Sequence, residues 1–286
     1  MHTCSLLLFA ALLPGTVNLS SVWAQEPAHL ASHTVPFELK SDFLVVVNGQ
    51  IGDLHGLKFI LDTGATYTVI DRRVADKLQV HREPGKVMNF DREVPVEWAQ
   101  IPPLRIGPVE VKASRVLVGR LGDYSSFAEE VDGIIGLDVL GKSKALTIDY
   151  QKGAISWQVA ENDGNQASKE NWNYYVVPVV VQGRALRLVV DTGLEGIVLF
   201  GDRLRKDMPR LRTEGEEIRV DIGRLQATQV KLPGVRIAGP ETVATVFLMN
   251  GPNARVLSGV DGYLGVASLH AKRVEFDFAA MQIRWQ

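Results

Sequence analysis

Two stretches, Phe59-Ile60-Leu61-Asp62-Thr63-Gly64 and Leu188-Val189-Val190-Asp191-Thr192-Gly193, repeat one pattern 129 positions apart. In each, an apolar run typical of a buried strand leads directly into Asp-Thr-Gly. A second pair, Asp132-Gly133-Ile134-Ile135-Gly136 and Asp261-Gly262-Tyr263-Leu264-Gly265, has the same spacing of 129. Two separate motifs that share one spacing indicate an internal duplication.

The two copies also end alike. Leu146 to Tyr150, followed by Ala154 to Trp157, resembles Val274 to Phe278 followed by Met281 to Trp285. Between the copies, residues 158–171 are polar and rich in Asn, Gly, Ser and charged residues, which is typical of a linker. We therefore expect an N-terminal lobe at residues 33–157, a linker at 158–171 and a C-terminal lobe at 172–286.

Most local signals within each copy are for strands. Asn48-Gly49 and Gln182-Gly183 follow β-rich runs and predict hairpin turns. Pro178 lies within the second of these runs and suggests an edge strand or an irregularity. Nothing in the pattern indicates a βαβ rhythm, so the sequence predicts an all-β protein with two similar lobes.

Short helices are expected after each triplet. Asp71 is a candidate N-cap for a helix from Arg72 to Leu78, and Asp202 for one from Arg203 to Met208. Asp138 is a candidate cap for a further short turn.

The composition is that of an ordinary globular protein, with 46% hydrophobic and 22% charged residues among 286. The formal net charge of -2 gives no electrostatic reason to expect nucleic acid or an anionic membrane as a partner. No uninterrupted apolar run reaches the roughly 18 residues that would span a bilayer.

The first 24 residues resemble a secretory signal peptide. Leu6 to Leu13 is a short apolar run, and Val22-Trp23-Ala24 has small residues where a signal peptidase requires them. The segment before the run has no Lys or Arg, and the alternative is a disordered or buried N-terminus. We expect cleavage after Ala24, and therefore an exported protein that is periplasmic or secreted and has no membrane contact after cleavage.

Neither cysteine nor histidine suggests a metal site. The only cysteine, Cys4, lies inside the expected signal peptide, so the mature chain would have no thiol and no disulfide. The six histidines form no pair of the HExxH type. We expect no metal and no cofactor.

A pair of Asp-Thr-Gly triplets has a chemical interpretation that a single triplet lacks. Two carboxylates held together cannot both ionise cheaply, so they share one proton. The charged member can accept a proton from water while the protonated member donates a hydrogen bond to a substrate carbonyl. We predict Asp62 and Asp191 as this catalytic dyad.

The other residues of the triplets are candidates for support of the dyad. Gly64 and Gly193 allow the backbone to bend closely around the carboxylates. Thr63 and Thr192 carry hydroxyls that can bond across the junction and lock the two loops together.

These residues resemble the signature of the aspartic peptidases: hydrophobic-Asp-Thr-Gly, then apolar-apolar-Gly. The stretch Ile134 to Leu140 with Thr147 to Tyr150 is similar to bacterial retropepsin-like domains. The resemblance covers both copies. It implies two closed β-barrel-like lobes with a cleft between them and a hairpin flap from one or both lobes, with the residues that oppose the flaps near Met88 to Val96 and Ile218 to Thr228. It also implies a peptide or protein substrate, and a monomer that hydrolyses peptide bonds as an endopeptidase.

The second copy departs from this pattern at Leu194-Glu195, where the family usually has small or hydroxyl residues. Glu195 is either a third carboxylate near the dyad or a solvent-facing turn residue, and the second interpretation is favoured. Two alternatives to the monomeric peptidase remain open. One is a non-catalytic peptide-binding protein of the same fold; the other is a dimer in which the first lobes of two chains pair.

Overall fold

The computed structural model describes residues 33–89, 92–112, 114–123, 130–158, 174–222, 225–237, 239–249 and 259–286. The expected signal peptide, 1–24, lies outside the described residues, as does all but the first residue of the expected linker, 158–171. No helix in the described residues is both long and apolar enough to cross a membrane.

The first half of the chain is built mainly of strands, with short helices after Asp71 and Gly136. Its strands are β1 His33–Pro36, β2 Glu38–Lys40, β3 Leu44–Ile51, β4 Leu54–Leu61, β5 Val69–Asp71, β6 Arg82–Asn89, β7 Arg92–Ile101, β8 Leu104–Ile106, β9 Val109–Val111, β10 Ser114–Gly119, β11 Gly133–Ile135, β12 Ala145–Asp149 and β13 Ala154–Gln158; its helices are α1 Arg72–Leu78 and α2 Leu137–Leu140.

The second half is likewise built mainly of strands but has fewer secondary-structure elements. Its strands are β14 Val176–Val181, β15 Arg184–Asp191, β16 Ile197–Phe200, β17 Glu214–Ile222, β18 Leu225–Arg236, β19 Thr242–Met249, β20 Gly262–Gly265, β21 Arg273–Asp277 and β22 Gln282–Trp285; its helix is α3 Gly201–Asp207.

Most strands of each half form one curved sheet, and we call each of these two sheets a lobe. In the second lobe the order is β14-β15-β20-β16-β19-β18-β17, and β14 also pairs with β18, which closes a barrel of six strands. The first lobe follows β6-β7-β10-β5-β11-β4-β3-β8-β9, with β2 on β3, and its described strands form a half-barrel. The predicted all-β, two-lobed fold is confirmed.

The duplicated motifs lie side by side in both lobes. In the first lobe, β11 pairs in parallel with β4, so that Ile135 lies opposite Leu61. In the second, β20 pairs in parallel with β15, so that Gly265 lies opposite Asp191. The apolar-apolar-Gly strand therefore supports the strand that enters each triplet, which explains why both motifs keep the same spacing.

A third sheet joins the lobes, in the order β1-β13-β12-β21-β22. Its central pairing is antiparallel between β12 and β21, with Leu146 opposite Phe276, and both side chains are fully buried. Trp157 is buried in the same sheet. The similar endings of the two copies thus pair with each other.

The prediction of a turn at Asn48-Gly49 is wrong, because β3 continues through both residues and the chain turns at Gly52-Asp53. Gly49 is required for another reason: a Cβ there would lie 2.8 Å from the carbonyl oxygen of Arg105. The turn at Gln182-Gly183 is confirmed, with φ of 48° and 83° at the two residues. β14 pairs with β18 only at Val180 and Val181, so Pro178 faces no β18 partner.

The helix prediction at Asp71 is confirmed: α1 spans Arg72–Leu78, and Asp71 accepts a hydrogen bond from the Arg73 N–H. The prediction for Asp202 is wrong, because α3 begins at Gly201 and Phe200 occupies the N-cap. Asp138 is not a cap either, since Gly136 occupies that position.

Candidate active site

The two Asp-Thr-Gly loops meet where the lobes contact each other. Asp62 follows β4, and its N–H donates to the carbonyl of Ile135 at 3.0 Å. Asp191 ends β15. Each carboxyl is hydrogen-bonded to the other, although the two residues belong to different halves of the chain.

Four hydrogen bonds between Thr63 and Thr192 and their surroundings cross this junction. The Thr192 hydroxyl accepts from the Thr63 N–H at 3.0 Å and donates to the carbonyl of Leu61 at 2.7 Å. The Thr63 hydroxyl accepts from the Thr192 N–H at 3.2 Å and donates to the carbonyl of Val190 at 2.9 Å. Thr63 and Thr192 are 0% and 2% exposed, so the bonds are made away from water. They fix the distance between the two aspartates.

Gly64 and Gly193 bring each backbone against the carboxyl of the opposite lobe. A Cβ on Gly193 would lie 2.7 Å from the Asp62 carboxyl carbon, and one on Gly64 would overlap the Asp191 carboxylate. Both contacts are closer than a real Cβ tolerates, so glycine is required at both positions.

The two aspartates have different hydrogen-bond partners. Asp62 Oδ1 accepts from the N–H of Gly64 at 2.8 Å and from that of Ala65 at 3.0 Å. Asp191 Oδ1 accepts from the Gly193 N–H at 2.7 Å, and the Gly64 N–H of the opposite loop also lowers the pKa of Asp191 by hydrogen bonding. Because hydrogen bonds to a carboxylate favour its charged form, the two N–H donors of its own loop make Asp62 the better site for the negative charge.

The pKa values of both aspartates are raised, and that of Asp191 is raised further. Burial raises the pKa of Asp62, while hydrogen bonds from Asp191, Gly64 and Ala65 oppose the rise. Burial and the negative charge of Asp62 raise the pKa of Asp191 well above its usual range. The arrangement therefore favours one proton shared by the two carboxyls.

Two tyrosines beside the dyad were missed by the sequence analysis. The Tyr174 hydroxyl lies 2.5 Å from the Thr66 hydroxyl. Burial raises the pKa of Tyr263, and the charges of both aspartates raise it further. Tyr263 could have been noticed, since it replaces Ile134 in the repeated Asp-Gly motif, whereas Tyr174 follows the linker and lies in no motif.

The two stretches expected to oppose the flaps, Met88 to Val96 and Ile218 to Thr228, belong to long hairpins. One is formed by β6 and β7 and the other by β17 and β18, and the residues at their tips, 90–91 and 223–224, lie outside the described part. The first hairpin contacts the loop that follows Asp62: the Trp98 ring lies 5.1 Å from the Tyr67 ring, edge to face. Arg115 lies 4.7 Å above Trp98.

The residues that distinguish the second copy lie in different environments. Glu195 is exposed, in agreement with the favoured interpretation as a turn residue. Leu194 packs into the apolar cluster around Val189 and Phe200, which accounts for its lack of a hydroxyl. Within the described residues, no group of three or more His, Cys, Asp or Glu side chains could hold a metal ion.

Asp138 has a structural role close to the site. Its Oδ1 accepts from the Thr68 N–H at 2.9 Å and from the Thr68 hydroxyl at 2.7 Å. The same hydroxyl accepts from the Gly136 N–H at 3.1 Å. Asp138 thus joins the Asp62 loop to the start of α2.

Comparison with known proteins gives a match over part of the first half. Residues 45–139 match the family described as Aspartyl protease. Comparison with curated proteins gave no match. Among solved structures, the chain is similar to a retropepsin-like aspartic protease from Rickettsia conorii, with 18% sequence identity and a TM-score of 0.35, over 46% of this chain and 92% of that one.

Proposed function

We propose that this chain, whose first lobe matches the aspartyl protease family, is an aspartic endopeptidase that hydrolyses peptide bonds with a water activated by Asp62 and Asp191. The observation that carries the proposal is the hydrogen-bonded pair of carboxyls, one from each triplet, with raised pKa values. The family match reaches only the first lobe, so the case for the second lobe rests on this geometry.

The proposed reaction uses the two aspartates in complementary protonation states. Ionised Asp62 takes a proton from water as the water oxygen bonds to the peptide carbon, and Asp191 gives its proton to the carbonyl oxygen. In the second step Asp62 gives its proton to the leaving nitrogen, the C–N bond breaks, and a hydroxyl of the intermediate returns a proton to Asp191. The dyad ends with the single proton with which it began.

The proposed substrate is an extended segment of a peptide or protein. β6 and β17 are the terminal strands of the two lobe sheets. Such strand edges can pair with an extended chain through main-chain hydrogen bonds, so that side chains facing the dyad determine specificity.

We further propose that the active species is a monomer. One chain supplies both aspartates, both threonines and all five strands of the joining sheet, so no partner is needed to complete the site. Sedimentation of the active protein as a dimer that loses activity on dilution would contradict this.

Export to the periplasm or the medium is proposed from residues 1–24 alone. N-terminal sequencing of the protein from its native host tests it: a mature chain starting at Gln25 agrees, and an intact Met1 refutes it.

The central experiment compares Asp62→Asn and Asp191→Asn with Asp53→Asn, an exposed turn residue. Digestion of an unstructured protein is measured between pH 3 and pH 7, roughly the span in which perturbed carboxyls titrate. Both dyad variants should lose activity while remaining folded, the control should keep it, and a pepstatin-like inhibitor should block the wild type. Full activity of Asp191→Asn would refute the intramolecular dyad.

A second candidate function is favoured by the altered second loop, in which Leu194 and Glu195 replace the residues usual in the family. In that case the protein binds peptides without cleaving them. Peptide binding with no cleavage over the same pH range would support this candidate and exclude the peptidase.

A further inference from the structure

A tyrosine of the second half reaches the first half beside the dyad. The hydroxyls of Tyr174 and Thr66 are 2.5 Å apart, and Thr66 comes four residues after Asp62. Tyr174 is partly buried, and burial raises the pKa of its hydroxyl. The charges of Asp62 and Asp191 raise this pKa further.

Thr66 ends the loop that surrounds Asp62, and its backbone is fixed from within the first half. The Ala65 carbonyl accepts from the Leu137 N–H at 2.9 Å, and the Thr66 carbonyl accepts from the Asp138 N–H at 3.2 Å. The side chain of Thr66 is held by Tyr174 of the other half. Between these attachments, the Ala65 N–H donates to Asp62.

The Asp191 loop has no equivalent attachment in the described residues. Glu195 occupies the position of Thr66 and is exposed. The strand registers place Leu44 where the second half has Tyr174, and Leu44 is apolar and buried. In this loop the described donor to Asp191 is the Gly193 N–H, while the Gly64 N–H acts on Asp191 from the opposite loop. The loop with the attachment is thus also the one with two donors.

We propose that Tyr174 is a positioning residue that holds Thr66 and thereby keeps the Ala65 N–H directed at Asp62, so that the dyad's negative charge resides on Asp62 and not on Asp191. This inference extends the proposed function and depends on it for its catalytic consequence, since the ionised aspartate is the one that accepts the proton from water.

Hydrogen bonds are well placed to decide the location of the charge here. Burial is the largest influence on the pKa of both aspartates; the groups that act on it besides are the two carboxyls themselves and the backbone N–H groups of Gly64, Ala65 and Gly193. The charges of both aspartates also raise the pKa values of Tyr263 and Tyr174, so both side chains remain neutral phenols. No cation is among these groups, so the loss of one N–H donor is not masked by a salt bridge.

The test is a titration of the two aspartate carboxyl carbons by NMR in Tyr174→Phe, in Thr66→Val and in the double variant. Each single variant should raise the apparent pKa of Asp62 by about half a unit to one unit, the value of one lost hydrogen bond. The double variant should shift it no further, because both substitutions break the same bond. Thr66→Ser keeps the hydroxyl and should titrate as the wild type.

Tyr150→Phe is the matched control, because Tyr150 packs against Phe37 and dyad charge does not affect its pKa. It should leave the titration unchanged. An unaltered Asp62 titration in Thr66→Val or in a folded Tyr174→Phe would overturn the inference, and so would additive shifts in the double variant. If Tyr174→Phe does not fold, Thr66→Val alone decides, since it removes the same bond from the other side.

The pH dependence of activity is a second test of the inference, and its outcome can be distinguished from a failure of the proposed function. The acid limb of the pH profile of kcat/KM should move upward by the same amount in Tyr174→Phe, with KM changed less than about twofold, because the variant changes a protonation equilibrium and not the binding surface. A wild type that cleaves nothing refutes the proposed function, whereas the NMR titration still decides the role of Tyr174.

Discussion

Replacing Thr192 with valine should destabilise the protein strongly, since the hydroxyl makes two buried hydrogen bonds across the junction. The variant leaves the carbonyl of Leu61 and the N–H of Thr63 without these partners, at a site where Thr192 is only 2% exposed. An unpaired buried group costs about 1 to 3 kcal/mol, so the free energy of unfolding should fall by about 2 to 6 kcal/mol.

Thr63→Val should cost the same amount, because Thr63 makes the matching pair of bonds, to the carbonyl of Val190 and from the N–H of Thr192. Urea unfolding of each variant, followed by fluorescence and circular dichroism, gives the free energies. Thr147→Val is the control. Thr147 is 5% exposed in the joining sheet, and its side chain makes no hydrogen bond within the described residues, so its loss should be small.

The more stringent test compares the loss in free energy of unfolding of Thr63→Val with that of Thr192→Val. Equal losses for Thr63→Val and Thr192→Val, well above the loss for Thr147→Val, agree with a symmetric junction. A loss below about 0.5 kcal/mol in either variant would show that the loops do not bond as described, and the dyad geometry would then have no support.

Three further predictions concern Asp191, Gly193 and Asp71. The pKa of Asp191 is higher in the folded protein than its ordinary value of 3.8, so the free energy of unfolding should fall as pH rises from about 3.8 through the folded pKa. Asp191→Asn should make the free energy of unfolding depend less on pH, and this variant should be more stable than the wild type at pH 7. An unchanged pH dependence in urea unfolding would contradict this prediction. Gly193→Ala should lower kcat/KM about 100-fold or more because its Cβ would lie 2.7 Å from the Asp62 carboxyl carbon, while Gly239→Ala, with open space around it, should have wild-type kinetics. Asp71→Ala should lower the free energy of unfolding by about 2 kcal/mol, since Asp71 caps α1 through the Arg73 N–H; a loss near zero in urea unfolding would show that the cap contributes nothing.

The sequence predicted those parts of the site that depend on local pattern. The triplets at Asp62 and Asp191 were found because a strand followed by Asp-Thr-Gly occurs twice with a common spacing. The cap at Asp71 was found because an N-cap bonds within its own helix turn. Both signals are contained in a few neighbouring residues.

Features that depend on distant partners were missed. The similar endings that contain Leu146 and Phe276 were recognised, but their likeness does not show that they pair with each other in the joining sheet. Asp138 was assigned to a nearby helix end, but its partner is Thr68, 70 positions away. The turn at Asn48-Gly49 was wrong because close packing against the Arg105 carbonyl requires a glycine within the strand, which outweighs the turn preference.

The central claim is that the carboxyls of Asp62 and Asp191 hold one proton jointly. Neutron diffraction from a crystal grown at mildly acidic pH measures this directly, since deuterium positions are visible. We expect carboxyl oxygens within hydrogen-bonding reach, about 3 Å apart, with a single deuteron bound to Asp191. Two ionised carboxylates separated by solvent, or a deuteron on each, would contradict it.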